Sequence, residues 1–367
     1  MTVDKIPKTM AGVVLTGHGG PDKLVYRNDL PVPRPGAGEV LMQVGATAIN
    51  NTDINTRIGW YSKGVTTGTD AATSSGLASA RHEDASWSGS PIAFPRIQGA
   101  DCCGTIVAVG QGVDEGRIGE RVLVRPMHAP STTSRPYELV TFGSECDGGY
   151  AQYAVAPAHE TFAVESSLTD AELASFPCAY STAEGMLERA ELKAGERVLI
   201  TGASGGVGSA AVQLAKRRGA EVIAVCGEHK FDAVRALGAD RLVARGTSLL
   251  EDVGADSVQV VVDLVAGPQW PELPELLCRG GRYVASGAIA GPLVELDVRT
   301  LYLKDLSLLG STWQPRHVFE NLIRYIERGE IRPQVAKTYA LAEVHQAQQD
   351  FMTKQLAGKL VLTVAES

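Results

Sequence analysis

The chain has 367 residues, 44% of them hydrophobic and 21% charged, and a formal net charge of −8. That acidic balance excludes a nucleic-acid partner of the usual kind, whose phosphates demand a basic surface. No apolar run approaches the roughly 20 residues that cross a bilayer, and the opening residues lack a secretory apolar core.

Six cysteines without a C-x-x-C pair read as reduced thiols of a cytoplasmic protein. The length implies two domains with a sizeable core. In chain order, residues 12–15 read as a strand, 17–21 as a turn, 31–38 as a proline-stiffened loop and 39–49 as a longer strand. The run from Asn50 to Tyr61 is polar and ends on Trp60 and Tyr61. Asn50 can hydrogen-bond a ligand carbonyl, and Tyr61 can donate a hydrogen bond or a proton, or simply pack as a loop aromatic. Asp53 is either a site carboxylate or a helix cap. Residues 62–92 are rich in Ser, Thr, Gly and Ala, show no periodicity and carry Trp87 as their one large aromatic. Such a segment either walls a substrate cleft, with Trp87 closing it, or is a solvated loop. Cys102 and Cys103 fall on one strand, face opposite sides and should not bridge. Thr169, with Glu172 three residues on, reads as a capping box.

Residues 198–201 form a short apolar β-prone run, followed by Gly202, Gly205, Gly206 and Gly208, then Ala211, Val212 and Ala215 at helical spacing. Strand, glycine turn and helix in that order are the setting of a dinucleotide fingerprint. The backbone at Ser204, Gly205, Gly206 and Val207 would pass close to a pyrophosphate, with helix-start N–H groups facing its charge. A second strand follows at 221–225 and a helix at 231–237. An NAD enzyme ends that second strand on an acid that holds the ribose hydroxyls. Here Cys226 takes the position, with His229 and Lys230 after it. A carboxylate would repel a 2′-phosphate and a cation attracts it, so NADP(H) is expected over NAD(H). Residues 258–263, 281–287 and 306–312 read as further strands. Ligands lie at the carboxyl ends of such strands, which makes Val265, Ser286 and Gly287 neighbours of a nicotinamide. Residues 320–328 read as an amphipathic helix and 358–364 as a closing strand.

These motifs together resemble the medium-chain dehydrogenase/reductase superfamily, most closely its zinc-free quinone oxidoreductase and enoyl reductase branch. The resemblance rests on residues 203–208 with 211–216, 33–44, 94–109, 119–124, 148–155 and 358–364, and so spans nearly the whole chain. It implies an α/β protein: a GroES-like β domain over 1–178, completed by 317–367, and a Rossmann-like doubly wound parallel-sheet domain over 179–316, with the active cleft between them. Zinc alcohol dehydrogenases of the superfamily carry Cys-His-Thr-Asp where this chain has Asn50-Asn51-Thr52-Asp53. Their Gly-His-Glu is Gly99-Ala100-Asp101 here, and Cys178 stands at the third ligand position. Alanine binds no metal and an Asn amide is a poor zinc ligand, so no metal is expected. The branch pattern matches Asn50 and Asp53, departs at Asn55 where a tyrosine is usual, and offers Tyr61 as a second aromatic. The resemblance also places Thr182 beside the nicotinamide, Lys230 on the 2′-phosphate and Lys359 toward the cofactor. It implies a homodimer and hydride transfer from NADPH to a small-molecule quinone or enone. Polarisation of the acceptor carbonyl would come from Asn50, Asn55, Tyr61 or water. The alternatives are a zinc-free alcohol or carbonyl dehydrogenase and a non-catalytic NADPH-binding protein.

Overall fold

In the computed structural model, which describes residues 6–71, 77–129 and 137–364 apart from the side chain of Asp70, the chain forms two units. The first comprises Met1–Val65, Ala72–Cys178 and Phe319–Ser367, and the second Thr66–Ala71 and Ala179–Val318. The spine of the first is the strand Glu39–Ala48. Its period-2 alternation sends Val40, Met42 and Val44 into one core with Ile106, Val122 and Phe142. Leu41 packs into another with Val107. The spine pairs antiparallel with Cys103–Val109, Tyr153–Pro157 and Lys359–Thr363, in a sheet of seven strands among the described residues. The register sets Val361 opposite Ala48. The same register carries Lys359, two residues before, toward Asn50, two residues after.

The second unit holds six parallel strands in the spatial order Arg241–Ala244, Glu221–Cys226, Arg197–Ile200, Val258–Asp263, Leu277–Ala285, Ser307–Gly310. Counted along the chain from Arg197 the order is 3-2-1-4-5-6, the doubly wound arrangement. The valine runs suit strands buried on both faces, and Leu199, Ile223, Val261 and Leu277 are almost wholly buried. Order reverses between Arg197–Ile200 and Val258–Asp263, so the crevice for a ligand opens at their carboxyl ends. Among the described residues the last strand, Ser307–Gly310, pairs on one side only, and Leu293, Val298, Tyr302 and Leu303 before it are exposed.

The strands foreseen at 281–287 and 306–312 are shifted: the first begins at Leu277 and the second closes at Gly310. The helix foreseen at 320–328 runs from Arg316 to Glu327. Thr169 and Glu172 form the expected reciprocal cap. Cys102 stands just ahead of its strand, and none of the six cysteines forms a disulfide. Among the described residues no helix is long and apolar enough to cross a membrane.

Gly208 shows why the turn after Ile200 is built from glycine. A Cβ there would lie 2.2 Å from the Gly202 carbonyl oxygen and 2.7 Å from the Ala203 Cα, both backbone atoms that cannot swing aside. Gly208→Ala must push the helix Gly206–Arg217 off the strand. Overpacking of this kind costs about 1–3 kcal/mol. Thermal unfolding is expected several degrees below wild type, with nucleotide affinity lost in parallel. An unchanged midpoint would refute the close approach.

Candidate active site

At the carboxyl edge of the parallel sheet, Ser204 to Val207 of the glycine turn come together with Val265, Ser286 and Gly287. Gly202 turns with φ +60°, and Gly205 caps the twelve-residue helix Gly206–Arg217. Gly205 is exposed, and a Cβ on it would meet only the Gly202 oxygen, at 3.5 Å. Ser204, Gly206 and Val207 are half-buried around it. A bare backbone faces outward at a helix start, where unsatisfied N–H groups favour an anion. A Cβ on Gly202 would touch the Val265 side chain at 3.2 Å, and one on Gly287 would meet the Leu264 oxygen at 2.9 Å. The Ser286 N–H donates to the Asp263 carbonyl at 3.3 Å. Val265, Ser286 and Gly287 therefore share one rim with the glycine turn. Thr182 sits on the helix Pro177–Arg189 and is buried.

Asp263 braces this rim. Its carboxylate accepts from Thr201 Oγ1 (2.6 Å), the Val265 N–H (2.9 Å), the Ala266 N–H and Tyr283 Oη (2.7 Å). Thr201 Oγ1 in turn accepts the Leu264 N–H at 2.9 Å. The loop so held carries Ala266 at φ +52°.

The neighbouring strand end is flanked by cations. The Ala203 N–H donates to the Val225 carbonyl at 3.0 Å, which sets Cys226 beside the glycine turn. Lys230 is buried close by, its ammonium held below the usual lysine range by burial and by the Arg245 charge. The Arg245 N–H donates to the Cys226 carbonyl at 2.8 Å; its side chain is exposed and forms no ion pair among the described residues. Burial raises the Cys226 thiol, and both cations oppose that rise. Two positive groups thus stand where an NAD-binding strand would end on an acid.

In the first unit, Asn50, Asp53, Asp101 and Lys359 form one buried polar cluster. Asn50 precedes the helix Asn51–Ile58, and its N–H donates to Asp53 Oδ2 at 2.8 Å. Asp53 also accepts the Ala100 N–H at 3.2 Å. Asp53 is therefore a capping carboxylate, buried at 2% exposure. Burial pushes it up to about 6, with the Asn50 hydrogen bond opposing, so it takes up a proton close to neutral pH. Lys359 Nζ donates to Asn50 Oδ1 and, at 3.0 Å, to Asp101 Oδ2. Asp101 Oδ1 accepts the Cys178 N–H at 2.6 Å. The Asn50 amide group donates to Asp101 Oδ2 at 2.7 Å and to the Ala48 carbonyl at 3.2 Å. Both amide hydrogens are spent, which corrects the expectation that Asn50 donates to a ligand carbonyl. Lys359, expected to reach toward a cofactor, is committed to Asn50 and Asp101.

Asn55 is buried on the same helix and interacts with Tyr61, which is half-buried. Tyr61 Oη donates to Thr52 Oγ1 at 3.1 Å, and Trp87 Nε1 donates to the same oxygen. The Tyr61 and Trp87 rings lie 5.3 Å apart. Burial drives the Tyr61 hydroxyl well above its ordinary value. The segment that bears Trp87 is anchored where it is described. Arg81 N–H donates to Ser62 Oγ, Lys63 N–H to Asp84, and Ser88 N–H to Glu145. Ala85 and Ser86 are buried. That rules out a wholly solvated loop there; residues 72–76 lie outside the described residues.

Sequence reasoning missed Arg245, Thr52 and Asp263. Arg245 gives no local signal, because only strand pairing of Cys226 with Ala244 brings it near. Asp263 had one: an acid ending a buried valine run must find donors.

Residues 36–166 match the alcohol dehydrogenase GroES-like domain, and residues 206–328 match the family described as zinc-binding dehydrogenase. A provisionally named alcohol dehydrogenase of Sinorhizobium meliloti 1021, of known structure, is 48% identical over 98% of both chains, with a TM-score of 0.86. The acryloyl-coenzyme A reductase of Metallosphaera sedula is 28% identical over 96% of this chain and 100% of its own. The quinone oxidoreductase of Rattus norvegicus is 27% identical over 97% of this chain and 98% of its own. The chain belongs to the medium-chain dehydrogenase/reductase superfamily, with a GroES-like domain and a Rossmann-like domain. It is an oxidoreductase of that superfamily, whose members bind nicotinamide cofactors.

Proposed function

We propose that the protein is a zinc-independent, NADPH-dependent reductase of quinones or α,β-unsaturated carbonyls. The observation that carries this reading is the Lys359 ammonium seated on Asn50 and Asp101. The Asn50 amide and the Asp101 carboxylate are consumed by an internal cation, and the Ala100 side chain has no atom that could bind a metal. Among the described residues no cluster of His, Cys, Asp or Glu has the makings of a metal site. The donor set present does not fit a catalytic zinc, which needs three good ligands.

The second unit does fit a dinucleotide. Ser204, Gly205, Gly206 and Val207 would hold its pyrophosphate, Lys230 with Arg245 its 2′-phosphate, and Val265, Ser286, Gly287 and Thr182 its nicotinamide end. The bound cofactor supplies the hydride. The chain's own part is to orient the acceptor and bear the charge that develops on its oxygen, through the groups around Asn50, Asp53, Asn55 and Tyr61. Residues 1–178 with 317–367 would act as the substrate-side domain and 179–316 as the cofactor domain. The one-sided strand Ser307–Gly310, with exposed Leu303 and Tyr302 nearby, supports a homodimer. Six unbridged cysteines suit a cytoplasmic setting.

The test is NADPH oxidation, followed by absorbance, against quinones and enones, with NADH in parallel and a chelator control. Chelator-resistant NADPH loss with either class is expected. The name carried by the Sinorhizobium relative favours a second reading, a zinc-free alcohol or carbonyl dehydrogenase. Turnover of alcohols with NADP⁺, and of neither acceptor with NADPH, would replace the first reading by the second.

A further inference from the structure

The 62–92 segment brings Trp87 onto a hydroxyl of the candidate site. A threonine hydroxyl has two acceptor lone pairs and one hydrogen to give. Trp87 Nε1 can only donate, and it donates to Thr52 Oγ1; Tyr61 Oη donates to the same oxygen at 3.1 Å. Both lone pairs are then filled. Thr52 makes no other hydrogen bond among the described residues, so its own hydrogen stays available. Two incoming bonds also polarise the hydroxyl and make it a stronger donor.

The neighbouring groups narrow the choice of donor. Asn50 has spent both amide hydrogens, on Ala48 and Asp101. The Tyr61 hydrogen goes to Thr52. Asp53 accepts two backbone N–H groups, and Lys359 is held on Asn50 and Asp101 at 4% exposure.

We propose that Trp87 is a positioning residue of the active site: its indole N–H, together with the Tyr61 hydroxyl, fixes Thr52 as the hydrogen-bond donor to the acceptor carbonyl oxygen. The described residues around Trp87 are then part of the catalytic machinery, and the Tyr61 and Trp87 rings, tilted 54° to each other, offer a conjugated carbonyl an apolar corner. This rests on the reductase reading above. Thr52 donates a hydrogen bond and gives up no proton.

The experiment compares Trp87→Phe, which keeps a ring and removes the N–H, with Thr52→Val and Thr52→Ser in NADPH-driven reduction of an enone and a quinone. NADPH affinity is followed separately by fluorescence. Loss of a donor aimed at a developing oxyanion costs about 10²–10³-fold in kcat, and a single hydroxyl in a partly polar site is expected at the low end. Thr52→Val should lower kcat about 100-fold with little change in KM or in NADPH affinity. Thr52→Ser should recover most of the rate. Trp87→Phe should lower kcat several-fold in the wild-type background and not at all in the Thr52→Val background, a non-additivity that a merely structural role would not produce. Wild-type kcat in Trp87→Phe, or equal losses in both backgrounds, overturns the inference while leaving the reductase reading intact. A wild-type protein that reduces neither acceptor overturns the reading and the inference together.

Discussion

Lys359→Met is expected to lower the stability of the first unit by about 3 kcal/mol, because it strands the Asp101 carboxylate in the interior. The two side chains are 5% and 0% exposed, and the ammonium lies 3.0 Å from Asp101 Oδ2. Removing one partner of such a pair costs about 3–5 kcal/mol. Asp101 keeps the Cys178 N–H and the Asn50 amide as donors, which places the loss at the lower end. For a unit of this size that is roughly 6–12 °C in the unfolding midpoint. The double variant Lys359→Met with Asp101→Asn removes both charges and should return to within about 1 kcal/mol of wild type. Nucleotide affinity measured on the same two proteins separates two roles for the lysine. Recovery of stability without recovery of binding would mean that Lys359 also serves the cofactor. A midpoint for Lys359→Met within a degree of wild type would mean that the ammonium is no fixture of the cluster, and the case against zinc would lose its support.

The second large effect concerns Lys230 and Arg245. Titration calorimetry with 2′,5′-ADP and with 5′-AMP isolates the contribution of the 2′-phosphate, since the two ligands differ only there. Wild type should bind 2′,5′-ADP more tightly. Hydrogen bonds to charged groups contribute about 1.5–3 kcal/mol each, or about 10- to 150-fold. Lys230→Ala and Arg245→Ala should each weaken 2′,5′-ADP by at least about ten-fold and leave 5′-AMP nearly unchanged. Cys226→Asp should go further and reverse the preference, because its carboxylate would face the phosphate and hold a bare ribose instead. Equal binding of the two ligands by wild type would show that the Cys226 end of the strand does not select NADP(H).

Much of the fold could be read from residue order. The run 258–263, the helix after Gly205 and the strand from Glu39 follow from local periodicity, and each appears where the pattern puts it. Strand ends were less legible. Leu277–Ala285 starts four residues early because pairing with Val258–Asp263 extends it past its glycines. The site divides in the same way. The glycine turn is a local feature, so Ser204 to Val207 could be named from sequence. The polar cluster is not local: Asn50, Asp101 and Lys359 meet across three strand ends, and nothing in the spacing says that Asn50 has no hydrogen left to give. Trp87 was visible as an aromatic, but its bond to Thr52 spans 35 residues of aperiodic chain.

The bracing of Asp263 has a calorimetric consequence. Four donors, the hydroxyls of Thr201 and Tyr283 and the loop's own Val265 and Ala266 N–H groups, already fix the loop of Leu264, Val265 and Ala266 on Asp263. A ligand arriving at this rim need not freeze the loop, and most of that entropy was lost when the chain folded. Association should then carry only a small unfavourable entropy, and its rate should show no slow phase. Asp263→Asn, by dropping acceptors, would move that loss from folding to binding: a larger enthalpy and a larger entropic penalty for the same nucleotide, with the free energy changed far less than either.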